Sequence, residues 1–127
     1  MHPQDSNTKL EDNLFSMNGP MVYKMARKKV YDMIAYDLSN NNLTQSDIDL
    51  VVPHQASGMA VKAYSKYGGF DENKVMDIIS TTGNCVAASI PLAFAISLNE
   101  ERVKNNNLVY LIGTGAGLSI ASILLKF

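Results

Sequence analysis

The sequence predicts an α/β fold: a mainly parallel sheet flanked by helices, with a C-terminal antiparallel hairpin. Three observations carry that prediction. Runs of helical spacing alternate with short apolar runs, the pattern of a sheet covered on both faces. His54 and Asn84, each following one of those apolar runs, are separated by the length of one parallel crossover, about 30 residues. Leu108 to Ile112 and Leu118 to Leu125, joined only by a Gly-rich turn, are close enough to pair as a hairpin.

Composition sets the outer bounds. A chain of 127 residues with 46% hydrophobic and 18% charged side chains suits one globular domain with a real core. A net charge of −1 leaves no nucleic-acid footprint on the molecule as a whole. Cys85 is the single cysteine, so no intrachain disulfide can form and a reducing compartment is expected. The segment 1–13 is polar, with neither the apolar core nor the basic leader of a signal peptide. The most apolar run, Val86 to Leu98, falls short of the about 20 residues that cross a bilayer. The expectation is a soluble, cytoplasmic protein with one domain over 14–127 and neither membrane nor nucleic-acid partners.

In order along the chain, Leu14 to Met17 is expected as a short strand. Asn18-Gly19-Pro20 opens a helix, because a proline in the first turn gives up an N–H that has no partner there anyway. Val22, Ala26, Val30, Met33 and Ile34 then follow helical spacing, with Lys24, Arg27, Lys28 and Asp32 largely opposite, until Asn40-Asn41-Asn42. Thr44-Gln45-Ser46-Asp47 is a capping-box variant for one helical turn. Ile48 to Val52 is a strand. Ser57 to Tyr67 is a helix stopped by Gly68-Gly69. After the Asp71-Glu72-Asn73 turn, Val75 to Ile79 reads as a second strand. Ser80 to Asn84 is a polar loop, followed by a helix to about Glu101 that is apolar all round and so belongs inside a structure.

The residues with chemical potential lie at the ends of these strands. In a parallel sheet the carboxyl edge is where ligands bind, which puts His54 and Asn84 at one edge. Each has a structural reading beside the functional one: a hydrogen-bonded histidine, and an asparagine capping a helix. The run Gly113-Thr114-Gly115-Ala116-Gly117 is no dinucleotide fingerprint, because a strand rather than a helix follows it. It can serve as a tight turn, as a set of backbone N–H groups facing a reacting carbonyl, or as both.

Val52-Pro53-His54-Gln55-Ala56, then Thr82-Gly83-Asn84 leading into Ala87-Ala88-Ser89-Ile90-Pro91, then the Gly-rich hairpin ending in Lys126-Phe127, resemble the C-terminal half of the β-ketoacyl-acyl-carrier-protein synthase III family. These are thiolase-like condensing enzymes. Met17-Asn18-Gly19 and the Val22 to Ala26 segment are similar to the family's lead into its first C-terminal helix, so the resemblance covers about residues 14–127.

The resemblance implies an acyltransferase of fatty-acid biosynthesis and a division of labour. A cysteine in the family's N-terminal half takes an acyl group from coenzyme A. The histidine matching His54 and the asparagine matching Asn84 hold the carbonyl oxygen of a malonyl thioester on acyl carrier protein. Decarboxylation then gives an enolate that attacks the acyl-cysteine. Gly115, Ala116 and Gly117 match the backbone site for the acyl-cysteine carbonyl, with Ala116 in place of a family glycine. Ser57 stands where the family's asparagine contacts pantetheine, and Met59 where many members carry a docking arginine. Lys24 and Lys66 match basic positions of the carrier-protein docking surface. The implied substrates are coenzyme A and carrier-protein thioesters, with no further cofactor and no metal. A homodimer and a partner segment bearing the nucleophilic cysteine are expected.

Cys85 directly follows Asn84 and does not match that nucleophile. A helix start can lower a thiol pKa, so a reactive thiol and a small buried residue stay open for it. The chain alone is expected not to catalyse condensation. The other reading is a non-catalytic half-domain that captures acyl carrier protein or coenzyme A.

Overall fold

A computed structural model describes Lys9 and residues 17–127. The polar segment 1–13, Lys9 apart, and Leu14, Phe15 and Ser16 of the expected first strand lie outside the described residues; Met17 is in no strand.

Helix α1 spans Gly19–Asn40, and Asn18 caps it by accepting the Met21 N–H on Oδ1 at 3.1 Å. Its fully buried residues all fall in its second half. Val30, Ile34 and Leu38, spaced four apart, are its buried residues, whereas Met21, Val22 and Met25 near its start are exposed. Asp37 faces inward and accepts the Tyr110 and Ser122 hydroxyls on Oδ2, both at 2.6 Å, tying α1 to the hairpin. The Thr44 N–H donates to Asp47 Oδ2 at 2.7 Å across the short 3₁₀ turn Gln45–Asp47. The Thr44 hydroxyl and N–H together hold the Asp47 carboxyl below its ordinary pKa.

Strand β1 (Leu50–Pro53) is buried throughout. Helix α2 (Gly58–Gly68) starts at Ser57, whose Oγ accepts the Ala60 N–H, and ends at Gly69 with φ 78°. That left-handed position is nearly free of cost only for glycine. Strands β2 (Leu108–Gly115) and β3 (Ser119–Lys126) complete a three-stranded sheet in the order β1-β2-β3. The sheet is mixed. β1 runs parallel to β2, with Val51 opposite Tyr110, and β2 pairs antiparallel with β3, with Gly115 opposite Ser119. The expected hairpin is present, and its turn carries positive φ at Gly117 and Leu118.

Side-chain alternation divides the sheet into two faces. Val51, Tyr110 and Ile112 join Ile34, Val61 and Phe70 in a core under α1 and α2. Leu50, Val52 and Val109 join Met76, Ile78 and Ala93 on the opposite face, under α4 (Ser89–Asn99).

Two expected elements differ. Val75 to Ile79 is not a strand beyond one parallel bridge, Val51 to Val75, and the Met76 N–H bond to the Val51 carbonyl at 2.9 Å. The Gln55 side chain takes the next two backbone groups: its Nε2 donates to the Met76 carbonyl and its Oε1 accepts the Ile78 N–H, each at 3.0 Å. The ladder is cut short because a side chain replaces it. The chain then enters a one-turn helix, α3 (Ile79–Thr82), where a loop was expected. The apolar helix, in turn, does not run on from Asn84. A 3₁₀ turn at Val86–Ala88 precedes α4, and Val86 has φ 50°, a strained value for a β-branched residue. The buried residues of α4 are the small ones, Ser89, Ala93 and Ser97.

Candidate active site

His54 leaves the end of β1 with its backbone held on both sides. Its N–H donates to the Ile112 carbonyl at 2.8 Å, and its carbonyl accepts the Ala56 N–H at 2.9 Å. The imidazole is half-buried, and that burial lowers its pKa below the usual 6.5. At neutral pH the ring is therefore neutral, with one N–H to donate and no charge to solvate.

The neighbouring strand makes room for this ring. A Cβ on Gly113 would lie 3.8 Å from His54 Cβ and only 2.7 Å from Ile90 Cδ1. The Ile90 Cδ1 atom is the far end of a flexible side chain, so a methyl group there would be met by a rotamer change at Ile90, while the 3.8 Å approach to His54 Cβ is ordinary contact.

Asn84 arrives from the other side. Its Oδ1 accepts the Val86 N–H at 2.9 Å, which fixes which end of the amide faces the site. The Nδ2 end points toward the Ala56 carbonyl at 3.5 Å, the long limit of a hydrogen bond. Asn84 thus meets the turn that carries His54, although it follows helix α3 rather than a strand. Two neutral donors carried by neighbouring loops suit an oxygen on which negative charge develops.

The other expected site residues sit on the hairpin, at the two ends of α2 and on α1. Gly115 ends β2, and Ala116 and Gly117 form the exposed tip of the hairpin, where the Ala116 carbonyl accepts the Ser119 hydroxyl at 3.5 Å. A shallow, mainly apolar groove of about 250 Å³ runs along the hairpin from Leu111 to Ile123, with Ile90 on its wall. Ser57 is exposed; its oxygen caps α2 and its own proton remains available to donate. Lys66 lies 5.1 Å from the Tyr67 ring centre, and so does the guanidinium of Arg27. Lys24 is exposed one turn before Arg27 on α1. Cys85 is half-buried and its thiol donates to the Thr82 carbonyl at 3.4 Å, closing the end of α3. Among the described residues no cluster of three or more histidine, cysteine or acidic side chains is placed to hold a metal. Nor is any described helix long and apolar enough to cross a membrane.

Arg27 and Gln55 were not among the expected site residues. Arg27 was legible only as a charge on an exposed helix face; its stacking on Tyr67 needed the packing of α1 on α2. Gln55 is fully buried. A glutamine at the end of an apolar strand was the available sign, since a buried amide must find partners.

Comparison with known proteins adds an independent line. Residues 38–127 match the family model described as 3-oxoacyl-[acyl-carrier-protein (ACP)] synthase III C terminal. The chain is 40% identical over 111 residues to a β-ketoacyl-[acyl-carrier-protein] synthase III of Wolbachia pipientis, covering 87% of this chain and 35% of that protein. It is 37% identical over 118 residues to the Clostridium tetani protein of the same name, covering 93% and 35%. Among solved structures, the synthase III of Pseudomonas aeruginosa PAO1 superposes with a TM-score of 0.85 at 33% identity, over 91% of this chain and 36% of that one. The Thermus thermophilus enzyme gives 0.85 at 32%, over 94% and 37%. The chain spans about a third of the length of the relatives it matches.

Proposed function

This chain belongs to the 3-oxoacyl-[acyl-carrier-protein] synthase III C-terminal family, with a thiolase-like fold, and we propose that it supplies the decarboxylating side of a condensing active site. His54 and Asn84 each donate one hydrogen bond to the thioester oxygen of a malonyl group carried by acyl carrier protein. The bond to the carboxylate breaks, carbon dioxide leaves, and its electron pair enters an enolate whose oxygen charge the two donors hold. The enolate carbon then bonds to the carbonyl of an acyl-cysteine, and the cysteine thiolate departs. That cysteine is contributed by the part of the family's sequence that this chain does not match.

The observation that carries this reading is the orientation of the Asn84 amide, its Oδ1 occupied by Val86 and its Nδ2 turned to the His54 turn. A neutral His54 beside it adds a second donor without burying a net charge. The backbone at Gly115, Ala116 and Gly117 faces the acyl-cysteine carbonyl in this scheme, and Ser57 contacts the pantetheine arm. Lys24 and Lys66, with Arg27, meet the carrier protein. The enzyme works in the cytoplasm as a homodimer, with coenzyme A and carrier-protein thioesters as substrates and no other cofactor.

The test is a fusion in which this chain replaces the matching C-terminal region of the Pseudomonas aeruginosa synthase. We expect β-ketoacyl product from the fusion and a loss of about 10²–10³ in turnover for His54→Ala or Asn84→Ala. Unchanged turnover in both variants would refute the assignment.

A further inference from the structure

We propose that Gln55 is the positioning residue that sets the spacing of His54 and Asn84, a role that rests on the reading of that pair given above. Gln55 follows His54 directly and is fully buried. Its amide is used on both ends. Nε2 donates to the Pro53 carbonyl and to the Met76 carbonyl, both at 3.0 Å, which engages both of its protons. Oε1 accepts the Ile78 N–H at 3.0 Å.

Ile78 is the anchor of the segment that delivers Asn84. Its carbonyl accepts the N–H groups of Thr81 and Thr82, at 3.1 and 3.0 Å, and the Thr81 hydroxyl at 2.9 Å, while the Thr82 hydroxyl is shared between the Ile78 and Gly83 carbonyls at 3.0 and 3.1 Å. The whole of α3 therefore hangs from Ile78. The Gly83 N–H closes onto the Ile79 carbonyl at 2.9 Å, and Gly83, at φ 65°, turns the chain into Asn84. From His54 to Asn84 the path is one peptide bond, one hydrogen bond from the Gln55 side chain, and one helical turn.

The direct link is much weaker. Asn84 Nδ2 lies 3.5 Å from the Ala56 carbonyl, too far to fix a separation. Strand pairing does not fix it either, because the ladder beside β1 ends at the Val51 to Val75 bridge and the Met76 N–H. Gln55 takes over where the ladder stops. A buried amide with both protons and an acceptor lone pair engaged has little freedom to move, so it acts as a fixed spacer between the two donors.

The experiment uses this chain with its side-chain amides and histidine rings followed by ¹H–¹⁵N NMR. Gln55→Met keeps the shape and removes all three bonds. Gln55→Glu is nearly isosteric. Protonated, it still accepts from Ile78 and donates to one carbonyl; ionised, it sets negative oxygen against the Pro53 and Met76 carbonyls. We expect the Asn84 side-chain amide resonances to shift in Gln55→Met while α1 amides near Val30 stay in place. In Gln55→Glu they should sit near the wild-type position at about pH 5 and move away reversibly toward about pH 8. The wild-type chain, run alongside to account for His54 titration, should lack that extra movement.

Asn84 resonances at their wild-type positions in both variants, with only the Met76 to Ile79 backbone amides displaced, would overturn the proposal. So would unfolding of both variants even in acid, because Gln55 would then hold the fold rather than the site. The readout needs no turnover. Failure of the catalytic reading would appear in the fusion enzyme with the spacing result intact, and the reverse outcome is equally separable.

Discussion

The two faces of the sheet are finished to different degrees. Under α1 and α2, large side chains interlock: Tyr110, Ile34, Val61 and Phe70 are all buried, and Asp37 binds two hydroxyls across the layer. Under α4, the helix turns its small residues Ser89, Ala93 and Ser97 to the sheet. Its larger ones, Ile90, Leu92, Phe94 and Ile96, are half-buried, and Leu98 is exposed. A small-residue stripe brings α4 close to the sheet, and Ile90, Leu92, Phe94 and Ile96 pack part-buried against the core beneath it. The first face is covered by two helices and the second by one, whose buried residues are small. His54 and Asn84 lie beside the start of α4.

Truncations on the two faces should separate them most strongly. Ile34→Ala removes a side chain that is 2% exposed, and should cost about 2–5 kcal/mol in denaturant unfolding. Leu98→Ala, at a position 38% exposed in the chain alone, should cost about 0.5 kcal/mol or less. Equal losses would erase the distinction between the faces.

A smaller effect should come from the polar tie on the finished face. Tyr110→Phe leaves Asp37 with one hydroxyl donor, for an expected loss of about 1–3 kcal/mol. Burial and the hydrogen bond to Asp37 both push the Tyr110 phenol well above its ordinary pKa. This tie therefore stays protonated through the neutral range.

The smallest effect is a pH slope. Burial places the folded-state pKa of His54 below 6.5, so as pH falls the unfolded chain takes up the proton first. His54 then contributes nothing adverse above about pH 6.5, and stability declines as pH drops toward the folded value. Thermal unfolding at about pH 5 should lie below that at about pH 7.5, and His54→Ala should flatten the difference. An unchanged slope in the variant would assign it to other groups.

Much of this was legible in the residues because the cues were local. The Asn18 cap, Pro20 in the first turn, Ser57 before α2 and Gly69 after it each bound a helix by chemistry within a few positions. The hairpin followed from two apolar runs and a Gly-rich turn. What the pattern misplaced depended on a side chain acting at long range. Val75 to Ile79 has strand composition, yet Gln55 captures its backbone after one bridge, and no local rule places a side-chain amide there. The start of α4 shifted through a local contact instead: Asn84 takes the Val86 N–H two residues on, where the chain passes through a positive φ. His54 and Asn84 were visible as candidates from the crossover length between them. That they meet through Ala56, with Asn84 after a helix rather than after a strand, was not.

The most direct test of the account is a condensation assay on the purified chain with acyl-coenzyme A and malonyl-acyl carrier protein, beside the fusion that restores the remainder of the synthase. The account predicts β-ketoacyl product from the fusion and none from the chain alone. Product from the chain alone would contradict it, because every group needed for acyl transfer would then lie within these 127 residues.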